Sequence, residues 1–230
     1  MERLIKLEIK RNKLNTYFHA SVIICVIMTG FIYFIATIAR VENNADFLQY
    51  ENIFKLNSAL TLIIFCIFSA VMYSKFVIED YSRGRAILLF SYPISRRKIL
   101  LAKLILVITV TLSSLLVCTF IPITVFFISE RISPILNGNI TLVLILAHLL
   151  NVGIYAVAIV SIGLIALGIG FIKKSISTTI VSSILLASII GNIVTGIGIS
   201  TPALVVVTLL VVTGFATVKI LSTKVNEMEV

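Results

Sequence analysis

The sequence predicts an all-α integral membrane protein with six transmembrane helices and both termini on the cytoplasmic side. Three observations predict it. Hydrophobic residues make up 59% of the chain and charged ones 13%, against about 25% charged in a soluble domain, and the mean hydropathy is +1.14. Six segments are uncharged or nearly so, each long enough for a bilayer core of about 30 Å at 1.5 Å per residue. The basic residues crowd onto one side: with both ends inside, sixteen of the nineteen Lys and Arg fall in cytoplasmic pieces, as the positive-inside rule requires. The whole chain, 1–230, is expected to be a single transmembrane domain.

Span one is Thr16–Ala39. It exceeds the 7–15 apolar residues of a signal peptide, and no small-x-small cleavage site follows, so it is expected to be retained. Residues 1–15 before it mix charge with Leu4, Ile5, Ile9 and Leu14 and fit an amphipathic interfacial segment. Span two is Leu56–Ile78, with Lys75 near its end, and span three is Leu104–Ile128, where Pro122 is expected to bend the outer part. Span four, Ile140–Ile172, is too long for one upright crossing, so it must tilt, project or break around Gly163, Gly168 and Gly170. Span five, Ser175–Ile199, carries small residues at every fourth position: Ser175, Thr179, Ser183, Ala187, Gly191 and Thr195. That spacing lets helices approach closely. The stretch 191–202, "GNIVTGIGISTP", separates it from span six, Ala203–Leu221, as a re-entrant or an ordinary external turn. The external connections are short, and 40–55 carries Glu42, Asp46 and Glu51.

A net charge of +9 invites a nucleic-acid reading. The charge is a topology signal instead, and no module interleaving aromatic and basic residues accompanies it. Cys25, Cys66 and Cys118 all lie within spans, an odd number that gives no disulfide framework. No metal-ligand spacing of His, Cys and carboxylate is present. The nearest approach to an ATP loop, "GIGFIKKS" at 168–175, fails the G-x-x-x-x-G-K-[ST] spacing, and Lys173 and Lys174 serve better as positive anchors. The chain is therefore expected to be no enzyme and to bind no cofactor itself. No acid is expected inside a span, which argues against an embedded enzyme or a proton-driven carrier. His148, Asn151 and Tyr155 recur at helical spacing on one face of span four. They are candidates for interhelical polar contacts or for lining a substrate path, with Asn192 of span five beside them as a candidate.

The connection 79–103 is the most informative segment. Glu79-Asp80 closes span two; Gly84 follows, then the apolar run Ala86-Ile87-Leu88-Leu89-Phe90. Pro93 forces Tyr92 out of helical conformation, and Ser95 is placed to cap a helix running into span three. Arg96-Arg97-Lys98 holds the loop inside. Cations suffice for topology, so five consecutive apolar residues need another reason, such as the headgroup layer, the bundle or a partner.

The stretch "EDYSRGRAILLFSYPISRRKILLAKL" resembles the cytoplasmic loop of type-2 ABC exporter permeases. The shared pattern is an acid, a glycine four positions on, two leucines, Pro-Ile-Ser-Arg and a lysine near the next span. Here these are Asp80, Gly84, Leu88 and Leu89, Pro93-Ile94-Ser95-Arg96, and Lys103. The family more often has Glu at the position of Asp80 and Thr at that of Arg85. The resemblance implies a short cytoplasmic coupling helix docked on a separate ATPase, which binds ATP and magnesium. It implies that Ile87, Leu88 and Phe90 contact that ATPase and that Arg83, Arg85, Arg96 and Arg97 pair with its acids or with lipid phosphate. It further implies a second permease chain, identical or related, in the cell membrane, with an antimicrobial or amphipathic peptide exported or resisted. The competing expectation is an ATPase-independent membrane protein, such as a bacteriocin-immunity factor.

Overall fold

The computed structural model describes residues 8–9, 14–42, 49–81, 95–132, 142–197 and 201–227. Among them are six helices long and apolar enough to cross a membrane, and the protein is an all-α, multi-pass membrane protein. They are α1, Asn15–Val41; α2, Tyr50–Tyr81; α3, Arg96–Ile132; α4, Leu142–Lys173; α5, Ile176–Ile197; and α6, Thr201–Glu227. An even number of crossings puts the start of α1 and the end of α6 at the same end of the bundle. The charge count makes that end the inner one.

Each helix overlaps its expected span, and most run further. The largest extension is at α3, which starts at Arg96 rather than Leu104. An apolar window marks only the hydrocarbon core, while backbone hydrogen bonding continues into the headgroup layer where Arg and Lys are at home. Ser95 stands where the cap was expected: its carbonyl accepts from the Lys98 and Ile99 amides at 2.9 and 3.4 Å. α3 continues unbroken through Pro122.

α4 does not break at its glycines, which leaves tilt or projection to take up its length. It is a single helix of 32 residues, about 48 Å long. The glycines are sites of close approach instead. A Cβ on Gly163 would lie 2.7 Å from Ser69 Oγ, and one on Gly170 would lie 2.9 Å from both Ile78 Cδ1 and Thr179 Cβ. α4 thereby packs on α2, α5 and α6 and forms the centre of the bundle with α2, while α1 lies outside, mainly against α3.

The small-residue stripe of α5 is part of this centre. Thr179, Ser183, Ala187 and Gly191 are buried, and Ser183 Oγ donates to the Cys66 carbonyl of α2 at 2.9 Å. The three cysteines are buried free thiols, and Cys118 donates to the Ser21 carbonyl across the α1–α3 contact.

The ends of the segment 168–175 have a local cause. Lys174 takes φ 48°, its amide bonds Phe171 O at 3.2 Å, and the Ser175 amide bonds Gly170 O at 3.1 Å. That pair of bonds is a Schellman stop, built here on a lysine. Ser175 then caps α5, with Thr178 N donating to its Oγ at 3.4 Å. At the other end, α5 continues to Ile197 and α6 begins at Thr201, so the described part of 191–202 is helical. Pro202 sits in the first turn of α6, where its missing N–H leaves no bond unmade.

Candidate functional site

Two polar zones stand at opposite ends of α2. The inner one forms the base of the connection between α2 and α3. After Tyr73 the backbone widens into a π turn, Ser74–Ile78, before a last helical turn, Glu79–Tyr81. The extra residue rotates everything beyond it by about 100° relative to a regular helix. Lys75 and Glu79 pair on the open side at 2.9 Å, while Asp80 turns inward and is 4% exposed. Its carboxylate meets the ammonium of Lys103, itself 1% exposed. The same ammonium donates to the Phe76 carbonyl inside the π turn at 2.8 Å, and Glu8 Oε2 lies 3.6 Å from it. Lys103 thus gathers the N-terminal segment, the π turn and the end of α2 at the start of α3.

Asp80 lies beyond the expected span Leu56–Ile78, yet it is buried within the bundle. Asp80 was assigned to the loop because the apolar run stops at Ile78; helix continuation and the π turn carry it inside. Glu130 is a second buried acid, near the outer end of α3, and accepts from the Tyr50 hydroxyl at 3.2 Å. The signal that could have found the first pair was present in the sequence. Asp80 and Lys103 are opposite charges flanking one loop, two residues and one residue from the apolar windows.

Of the coupling residues expected from the sequence, Asp80, Ser95 and Arg96 are placed. Ser95 holds the position before the first turn of α3 through its carbonyl, and Arg96 lies within electrostatic reach of Tyr81 on the α2 side. Gly84, Ile87, Leu88, Phe90 and Pro93 lie outside the described residues, as does the coupling helix they were expected to form.

The outer zone is a cavity of about 280 Å³ between the first turns of α2 and α4. His148, Asn151 and Tyr155 line it from α4, facing Glu51, Lys55 and Ser58 of α2. Helical spacing does bring the three together. His148 stacks on Phe54, with ring centroids 4.7 Å apart and 22° between planes. The ring is 7% exposed, and its Nε2 has no hydrogen-bond partner among the described residues. A buried polar atom left without a partner costs about 1–3 kcal/mol. Here it borders a space large enough for a ligand group or water. Asn192 is not part of this zone; it is exposed on α5 and its amide donates to Ser188 O of its own helix at 2.7 Å.

No family model matches the chain, and no solved structure matches it. The chain is similar to the uncharacterized protein YcbO of Bacillus subtilis (strain 168), with 26% identity over 198 residues, 86% of this chain and 87% of YcbO.

Proposed function

We propose that this chain is the membrane-spanning permease subunit of a type-2 ABC exporter of the cell membrane. It forms the translocation path and draws energy from a separate cytoplasmic ATPase through the loop 79–103. The observation that carries the reading is the buried clamp at the root of that loop. A loop that receives force must be anchored on both flanks. Asp80 on one flank and Lys103 on the other are joined directly and tied to the Phe76 carbonyl. The Leu88–Leu89 and Pro93-Ile94-Ser95-Arg96 signature lies between these anchors.

The chain supplies a six-helix bundle, and the reading pairs it with a second permease chain and two ATPase subunits that hold ATP and magnesium. A broad apolar face on α1, with Phe18 and Val26 exposed at 66% and 67%, is available for that second chain. The cargo or the agent resisted is an antimicrobial or amphipathic peptide. The outer cavity, with an imidazole, an amide, a phenol and both charges, offers groups to bind peptide polar atoms.

Co-purification of the native complex tests the reading. A nucleotide-binding subunit with vanadate-sensitive ATPase activity is expected. Leu88→Arg should abolish that association while the chain still inserts in the membrane. A native complex without any such subunit would support an ATPase-independent immunity factor instead.

A further inference from the structure

A groove of about 470 Å³ runs along the outside of the bundle between α3, α4 and α6, and its lining is almost wholly apolar. One wall is the α3 stripe Leu101, Ile105, Ile108 and Leu112; Phe215 of α6 forms the other. The floor is closed where Gly214 meets α4, since a Cβ there would lie 3.5 Å from Ser161 Cα. From Leu101 to Leu112 the stripe measures about 16 Å, the depth of one leaflet of a core about 30 Å thick. An apolar slot of this length accepts an extended hydrocarbon chain.

The inner end of the groove is cationic. Arg97 lies one turn before Leu101 and Lys98 three residues before it, which puts both on the groove face of α3. Lys219 stands one turn beyond Phe215 on α6, and all three cations are exposed. Among the described side chains at this end, Asp80 and Glu8 are engaged by Lys103, and Glu79 by Lys75. An apolar slot one leaflet deep with clustered cations at headgroup level matches a lipid whose head is negative.

We propose that this groove binds one acyl chain of an anionic phospholipid, whose phosphate is held by Arg97 and Lys98 with Lys219 beside them. The site shares Arg97, Lys98 and Leu101 with the end of the segment 79–103, and lipid binding there does not require an ATPase.

Native mass spectrometry of the purified full-length protein tests it, after incubation with equal amounts of phosphatidylglycerol and phosphatidylethanolamine bearing the same chains. The expected result is a one-to-one phosphatidylglycerol adduct about tenfold above the phosphatidylethanolamine adduct, from two or three cations near one phosphate. Arg97→Gln/Lys98→Gln should remove the preference, and Ile108→Trp, which fills the slot, should lower both adducts. Equal adducts on the unmodified protein, or a preference unchanged in the Gln variant, overturn the proposal. So does efficient chain-to-chain crosslinking of a Phe215→Cys variant in membranes, because a second copy then covers the groove.

Discussion

Lys103→Met gives the sharpest test of the inner zone. It keeps the length of the stem and deletes the charge. Asp80, 4% exposed, loses its ammonium, and the Phe76 carbonyl in the π turn loses its donor. Removing one partner of a buried ion pair costs about 3–5 kcal/mol. At roughly 2–4 °C per kcal/mol for a chain of this size, the detergent-solubilised protein should melt about 6–20 °C lower, read by size-exclusion recovery after heating. The informative comparison is Asp80→Leu/Lys103→Met. Exchanging a whole buried pair for apolar side chains is often neutral or stabilising, so the double variant should recover most of the loss. The remaining deficit is about 1–3 kcal/mol for the bare Phe76 carbonyl. If Lys103→Met melts within 2 °C of the unmodified protein (~1 kcal/mol or less), the lysine serves only membrane topology. If the double variant is no better than the single, the two charges are not a pair. Either result refutes the clamp.

Gly170→Ala puts a methyl group 2.9 Å from Ile78 Cδ1 and into Thr179; overpacking of this kind costs about 1–3 kcal/mol, and a lower melting temperature, partly regained with Thr179→Ala, is the expected outcome. Lys174→Gly relieves an L-residue at φ 48°, a conformation that costs roughly 1–2 kcal/mol, so the same heating assay should show higher stability. His148→Phe removes a buried nitrogen that has no hydrogen-bond partner among the described residues and keeps the stack on Phe54, so stability should hold or rise by about 1 kcal/mol. Peptide export or resistance should fall in the same variant, and an unchanged peptide phenotype would remove the outer cavity from the transport path.

Much of this architecture was legible because lipid imposes simple rules. Apolar length and the asymmetry of Lys and Arg yielded six crossings and their sense. Helical spacing placed His148, Asn151 and Tyr155 on one cavity, and Pro93 with Ser95 located the start of α3. What was not legible depends on packing between helices. A break was one of three alternatives open for α4, because low glycine propensity is a local property, whereas the use of glycine here, close approach to Ser69, Ile78 and Thr179, is tertiary. Asp80 looked like a loop residue because a π turn changes helical phase without leaving a sequence mark. Asn192 looked like an interior amide, yet nothing in the sequence tells which face of α5 the neighbouring helices cover.

The burial of a charged clamp at the root of the loop has a physical rationale beyond strength. Helices in lipid gain little from apolar contact with one another, since the acyl chains compete as equals. A Leu–Leu contact between α2 and α3 would also tolerate an axial slip of one residue. The Lys103 ammonium tolerates none, because Asp80, Glu8 and the Phe76 carbonyl must converge on it together. A shift of one residue, about 1.5 Å along and 100° around the axis, would leave them apart. The clamp therefore specifies the register of α2 against α3, the use for which buried polar groups are best attested. With register held, a displacement applied to the loop cannot be absorbed by sliding at its root. On the proposed coupling role it would pass into α2 and along about 33 Å, from Asp80 to Ser58, to the wall of the outer cavity.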